Sequence, residues 1–338
     1  MKNPKLIIAV IFGLFVSFGF AQNESFSFEQ VLELAERNSA NVATANTNYA
    51  SSTRDLSRTQ ADPLALRIPI MQAEQALQRA QSSLEAAKLS ARNTAASAFA
   101  SAKEADTSLR LSHMSLAISQ TTLNATNIRL QAGAATKLEL EKAQNGLADA
   151  RNQLANAEQS RNLAYDNLRS LIAVAGDFVL SDDVAIAEVP SLENVLANLA
   201  RNSQIMNSQH SLALAEAQLA AVDNAFTARK DIEAAKDQVN NARTNLAETQ
   251  RSLEINIKQS YNAVLAAQGR VQTARANLGT SQSDYDAQNL RFNSGSISPL
   301  QLAQSELSLA NSQSQLEKAQ HALASSLRQL DLAILGAR

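Results

Sequence analysis

His113, His210 and His321 are the three side chains of this chain best suited to move protons or hold a metal. They lie far apart, and no two of them have the spacing that a metal ligand set requires. Each is expected as a solvated helix residue. Asp182 and Asp183 are adjacent carboxylates in a loop-like stretch, and they are expected to be solvated. Asp284 and Asp286 flank Tyr285 and are expected as exposed helix charge, with a pore-facing role as the alternative. The chain has no phosphate-binding glycine loop and no nucleophile motif. It is read as no enzyme, with no cofactor.

The informative residues are two short turns. Arg129-Leu-Gln-Ala-Gly133-Ala-Ala-Thr136-Lys-Leu138-Glu139-Leu140 and Arg291-Phe-Asn-Ser-Gly295-Ser-Ile-Ser298-Pro-Leu300-Gln301-Leu302 are versions of each other. In each, a central glycine supplies backbone angles other residues resist, and a hydroxyl three residues on can cap the next helix. The duplication extends further: Val31-Leu32, Ala35 and Arg37-Asn38-Ser39 recur as Val195-Leu196, Leu199 and Arg201-Asn202-Ser203. Phe99 matches Tyr261, and Ala173-Val-Ala-Gly176 matches Ala333-Ile-Leu-Gly336. Two repeats, 22–176 and 191–338, are joined by a connector at 177–190. Internal duplication is the architectural statement that precedes all others.

Residues 1–21 read as a secretory signal peptide: Lys2 and Lys5, an apolar run from Leu6 to Phe20, then Ala21. Its removal leaves 28 basic against 32 acidic residues, a balance with no claim on nucleic acid. With no cysteine, stability must come from packing without disulfides. Aromatic residues make up 4% of the chain, which suits long thin helical packing better than a thick core.

The elements that must position the turns are helices over 28–60, 70–131, 137–173, 192–225, 230–292 and 299–335. Ser27 with Gln30, and Ser191 with Asn194, mark two of the starts. The middle helix of each repeat is about 93 Å long at 1.5 Å per residue. The apolar period of the helices is seven: Leu302, Leu309, Leu316, Leu323 and Leu330 in the last helix, and Leu140, Leu147, Leu154, Arg161 and Leu168 in its counterpart. Such a period imposes a left-handed coiled coil. Three residues after each large side chain comes a small one, as in Ser305, Ser312, Ala319, Ser326 and Ala333. In each repeat the outer helices together match the middle one in length. Two short helices stacked end to end beside one long helix therefore satisfy the pattern. The fold class is all-α: two tandem repeats of long antiparallel coiled-coil helices with little or no β-structure.

The doubled turn resembles the tip motif Arg-(Tyr/Phe)-x-x-Gly-x-x-(Ser/Thr)-x-Leu-Asp-Val-Leu of the TolC-type outer-membrane efflux protein family. Val31 to Asn38 and Val195 to Asn202 resemble that family's repeat start, Val-Leu-x-x-Ala-x-x-Asn. The resemblance implies a homotrimer whose twelve helices form a tunnel through the periplasm below a barrel in the outer membrane. It implies tips, carried by Arg129, Gly133, Thr136, Leu138, Arg291, Gly295, Ser298 and Leu300, that dock a periplasmic adaptor beside an inner-membrane pump. The positions matching the family's pore constriction are Glu139, Lys142, Gln301 and Gln304, which cannot form a uniformly acidic gate. The chain departs from the family at 61–69 and 223–231. There the family places two membrane strands, and a spanning strand needs roughly 9–11 residues.

Three functions follow as expectations. The first is a passive export conduit in tripartite efflux or type I secretion, exported to the periplasm or outer membrane. The second is a coiled-coil envelope protein of this fold without transport, and the third a periplasmic adaptor hairpin.

Overall fold

Capping chemistry divides the chain into its elements. The computed structural model describes residues 24–336, so the expected signal peptide lies outside the described residues. In chain order the elements are β1 (Glu24–Phe26), α1 (Phe28–Asn38), α2 (Ala40–Ala61), α3 (Arg67–Gln131), α4 (Lys137–Ile172), β2 (Phe178–Leu180), α5 (Leu192–Ala197), a 3₁₀ turn (Asn198–Arg201), α6 (Ser203–Val222), α7 (Arg229–Asn293) and α8 (Pro299–Leu335). The two long helices, α3 and α7, each have 65 residues.

Two expected helices are divided. The 28–60 segment breaks at Ser39, whose extended backbone (φ −71°, ψ 118°) ends α1 while its hydroxyl accepts from Val42 N–H to start α2. The 192–225 segment breaks at the 3₁₀ turn and at Asn202, which caps α6 through Gln204 N–H, and α6 ends at Val222. Serine and asparagine compete with the helix for backbone donors, so an apolar period can run through a break. By contrast α3 starts before Pro69, because proline is tolerated in a first turn whose N–H groups lack partners.

The helices form one layer. α3 lies inside it, packed by α1, α2 and α4 on one side and by α6 and α8 on the other; α7 lies beyond α6 and α8 at the edge. α1 meets α4, so the short helices of the first repeat stack end to end along α3. Asn93–Arg328, Glu104–His321 and Thr107–Glu317 hold α3 and α8 antiparallel. The small stripe marks the seams: Ala150, Ala157, Ala267 and Ala274 are buried, and the Ser281 and Ser312 hydroxyls meet at 2.7 Å between α7 and α8.

The cores sit at mid-height, where the short helices end. In the first, Phe28 stacks edge-on against Phe99, with Val31, Leu168 and Ile172 around them. In the second, Val195, Ile257, Val264 and Leu330 gather in the same way. The connector is fastened there: β2 pairs in parallel with β1, Val184 is buried, and Asp183 meets Lys103 at 3.0 Å. Asp182 and Asp183 are exposed, as expected of a solvated loop, and Asp183 adds a surface ion pair to Lys103.

His321 departs from its expectation as a solvated residue. It is 6% exposed, and its Nδ1 lies 2.8 Å from Glu104 Oε1 across the seam between repeats. His210 is half-buried and bonds Gln78, whereas His113 is exposed as expected. A histidine on a helix face is solvated only if that face stays free, and α3 uses two faces.

Asn38 and Asn202 explain the repeated start motif. Asn38 donates to Ile172 O at 2.7 Å, and Asn202, fully buried, donates to Ala333 O at 3.0 Å and Ile334 O at 3.1 Å. Each ties the start of its repeat to carbonyls at the end of the last helix, of which Ala333 O also accepts from Gly336 N–H at 3.2 Å. Replacing buried Asn202 removes the side-chain donor to Ile334 O where water has no access, whereas Asn38 is exposed and its carbonyl partner can turn to water. Asn202→Ala is expected to cost about 2 kcal/mol and Asn38→Ala about 1 kcal/mol in urea unfolding.

Candidate functional site

The two turns close by the same bonds. At the end of α3, Gly133 N–H donates to Leu130 O at 3.0 Å and Ala134 N–H to Arg129 O at 2.7 Å. At the end of α7, Gly295 N–H donates to Phe292 O at 2.9 Å and Ser296 N–H to Arg291 O at 2.8 Å. This is the Schellman arrangement, which needs a left-handed residue at its centre. Gly133 and Gly295 supply it with φ of 73° and 74°.

The following helix starts by a capping box in both cases. Thr136 Oγ1 accepts from Glu139 N–H at 3.2 Å, and Glu139 Oε2 accepts from Thr136 N–H at 2.6 Å. Ser298 Oγ accepts from Gln301 N–H at 3.3 Å, and Gln301 Oε1 accepts from Ser298 N–H at 3.0 Å, with Pro299 in the first turn of α8. Glu139 and Gln301 are therefore held by their own helix ends. Lys142 and Gln304, one residue short of a helical turn further on, are exposed and outside the caps.

The turns differ in charge. Arg129 Nη2 donates to Ala134 O at 3.1 Å and lies 4.0 Å from Glu139, so the first turn holds a cation and an anion. In the second, Ser294 Oγ donates to Arg291 O and Gln301 is neutral. The backbone N–H of Thr136, then its hydroxyl, holds the Glu139 carboxyl below the usual carboxylate range. Both ends also present apolar side chains to solvent: Ile128, Leu138 and Leu290 are exposed, and Leu300 lies in a groove against Met114, Ile118 and Thr121 of α3.

Sequence reasoning missed the polar clamp above the first turn. Arg161 interrupts the leucine series of α4 and donates to Asp106 Oδ1 at 2.6 Å; Tyr165 donates to Asp106 Oδ2 at 2.6 Å. Arg161 also covers the Tyr165 ring at 4.3 Å. Burial, followed by the bond to Asp106, pushes the Tyr165 phenol up. The signal was available, because a cation in a leucine row implies a partner on the facing helix. Among the described residues no group of histidines, cysteines and carboxylates is placed to hold a metal ion.

The family model for "Outer membrane efflux protein" matches residues 63–174 and 220–336, which are the two repeats from their long helices onward. The chain is also similar to solved structures. CusC, from a study of folding and transmembrane channel formation, is 14% identical with a TM-score of 0.64, over 91% of this chain and 92% of that one. The Campylobacter jejuni CmeC outer membrane channel is 12% identical with a TM-score of 0.64, over 92% and 86%. The outer membrane protein VceC of Vibrio cholerae is 14% identical with a TM-score of 0.61, over 92% and 96%. At these identities the likeness is one of fold. No curated protein matches the chain.

Two outcomes are expected from the turn chemistry. Gly133→Ala and Gly295→Ala meet no atom, yet each forces an L-residue into the left-handed region and costs about 1–2 kcal/mol, read by thermal unfolding. Because the Glu139 pKa is lowered on folding, its stabilisation is complete above the unfolded carboxylate value and disappears as pH falls through the folded one. Amide exchange at Thr136 should therefore accelerate on acidification relative to Ser298, whose partner Gln301 does not titrate.

Proposed function

Because this chain belongs to the outer membrane efflux protein family, we propose that it is the passive conduit of a tripartite efflux or type I secretion assembly. It is a cell-envelope protein associated with the outer membrane, as its family is. The observation that carries the reading is the pair of matched turns at the ends of two 65-residue helices lying in one open layer of helices. A single layer with two unpaired edges is suited to be a segment of a tube wall.

The unpaired edges support a ring of identical copies, a homotrimer in our reading. Leu163 on α4 at one edge is 71% exposed; Ile255 and Leu265 on α7 at the other are 57% and 43% exposed. Leucine and isoleucine at such exposure on long coiled-coil helices lack the neighbour their seam requires. The whole chain exposes 21566 Å², roughly 1.6 times the surface of a compact protein of 36.2 kDa.

The turns at Gly133 and Gly295 form the end that meets a periplasmic adaptor and an inner-membrane pump. Arg129, Thr136, Leu138, Arg291, Ser298 and Leu300 shape that end, and Ile128 and Leu290 add exposed apolar surface. Lys142 and Gln304 are the constriction candidates left free, since Glu139 and Gln301 are occupied by their caps. Opening consists of relaxing the helix seams near the two glycines, with the energy supplied by the partners.

One observation favours a second reading, a helical envelope spacer that conducts nothing. The α2–α3 and α6–α7 connections are residues 62–66 and 223–228, each shorter than a single spanning strand of roughly 9–11 residues.

The two readings separate by mass and imaging. Light scattering of the purified protein should give three copies, and negative-stain images should show a central hole. A monomer, or a bundle with a filled axis, sinks the conduit. Leu163→Glu and Ile255→Glu should each shift the trimer to monomer without loss of helicity by circular dichroism, since neither side chain is buried within one copy.

A further inference from the structure

Beyond the turns that close α3 and α7, a second pair of matched turns opens them, and these are built to present apolar side chains. In the first, Ala65 N–H donates to Asp62 O at 3.0 Å and Leu64 N–H to Asp62 Oδ1 at 2.9 Å. In the second, Thr227 N–H donates to Asn224 O at 3.3 Å and Phe226 N–H to Asn224 Oδ1 at 3.0 Å. Each is a β-turn braced by an aspartate or asparagine at its first position. The third position of each carries the large apolar residue: Leu64 is 84% exposed and Phe226 is 99% exposed, with Leu66 beside them at 73%. A water-facing turn has no structural need for leucine or phenylalanine there.

Both turns occupy one end of the molecule. Gln75 Nε2 donates to His210 O at 3.2 Å and Ser82 Oγ to Met206 Sδ at 3.7 Å. α6 therefore runs antiparallel to the first part of α3 and carries residues 223–228 to the level of 62–66. Behind the apolar residues stand cations, Arg67 at the first position of α3 and Arg229 and Lys230 at the start of α7. Arg67 and Lys230 have no salt-bridge partner among the described residues, and Arg229 pairs with exposed Glu233 at 3.4 Å. α3 and α7 also lack side-chain caps, unlike α1, α2, α4, α5, α6 and α8, so their first N–H groups face this end. Of the acidic groups here, Asp62 is turned onto Leu64 N–H, while Asp223 and Asp231 stand among the cations.

We propose that this end is a membrane-contact wedge: Leu64, Leu66 and Phe226 enter the interfacial layer of a phospholipid bilayer, and Arg67, Arg229 and Lys230 bind headgroup phosphates. Apolar tips with cations one step behind match the order of acyl chain and phosphate met on entering a leaflet. The inference rests on the assignment of the chain to the outer-membrane-associated envelope. It supplies a contact that needs no spanning strand, so connections of this length suffice.

The chain has no cysteine, so single introduced cysteines report their own surroundings. Ala65→Cys and Ala225→Cys, labelled with the polarity-sensitive NBD fluorophore, are mixed with vesicles of phosphatidylethanolamine and phosphatidylglycerol. Ala134→Cys at the opposite end is the comparison. The expected result is a blue shift at 65 and 225 and none at 134, with apparent vesicle affinity falling about 10-fold or more in Leu64→Ser/Leu66→Ser/Phe226→Ser. No shift at 65 and 225, equal shifts at all three positions, or a shift that grows with protein concentration without lipid overturns the wedge. The last would mean that a second copy covers this end. Mass is measured on the same samples: a trimer that ignores lipid overturns the wedge alone, and a monomer that responds to lipid overturns the conduit alone.

Discussion

Ala95, Ala96, Ala98, Ala100 and Ala102, with Phe99 among them, are buried in the middle of α3 on more than one face. This stretch is the constraint on which the layer depends. A helix of 65 residues keeps its length only through continuous lateral contact, because propensity alone does not hold a long isolated helix against solvent. Alanine lets α1, α4 and α8 approach α3 closely from opposite sides, and it loses no side-chain entropy in doing so. A run of large residues there would push the flanking helices apart and separate the two repeats.

The repeats are equal in sequence pattern and unequal in position. α3 is interior and α7 lies at the edge, although both begin and end with matched turns. Phe99 is sealed under Phe28, whereas its counterpart Tyr261 reaches the connector by donating to Pro190 O at 3.1 Å. The polar residues of the interior seam, Glu104, Asp106 and Thr107, pair with His321, Arg161, Tyr165 and Glu317. Buried polar groups without partners are costly, so these pairs set the alignment of neighbouring helices as well as their adhesion.

The two ends of the molecule both expose large apolar residues and differ in how their helices are capped. At the Gly133 and Gly295 end each helix terminus is closed by a local motif, a Schellman turn or a capping box. At the Leu64 and Phe226 end the long helices begin without side-chain caps, and large apolar residues face water. The first end is suited to reversible docking between proteins. The second leaves Leu64, Leu66 and Phe226 uncovered and Arg67 and Lys230 without an ion pair among the described residues, as a surface does when its complement is a lipid leaflet.

Much of this was legible in order along the chain. The glycine turns, the capping hydroxyls at Thr136 and Ser298 and the heptad rows of α4 and α8 each depend on residues within a few positions of one another. Local rules of backbone angle, capping and helical period therefore suffice to read them, and the duplication with its family follows. The breaks at Ser39 and Asn202 and the burial of His321 were not legible, and of the Asp106–Arg161–Tyr165 clamp only the need for a partner to Arg161 was. A capping serine reads the same inside a helix as between two, and which face of α3 meets α8 is decided by how the repeats lie side by side. That Glu139 and Gln301 serve their helix ends follows from sequence spacing once the turn is known. That Leu64 and Phe226 share one end follows only from the antiparallel run of α6 along α3, a contact between residues more than a hundred positions apart.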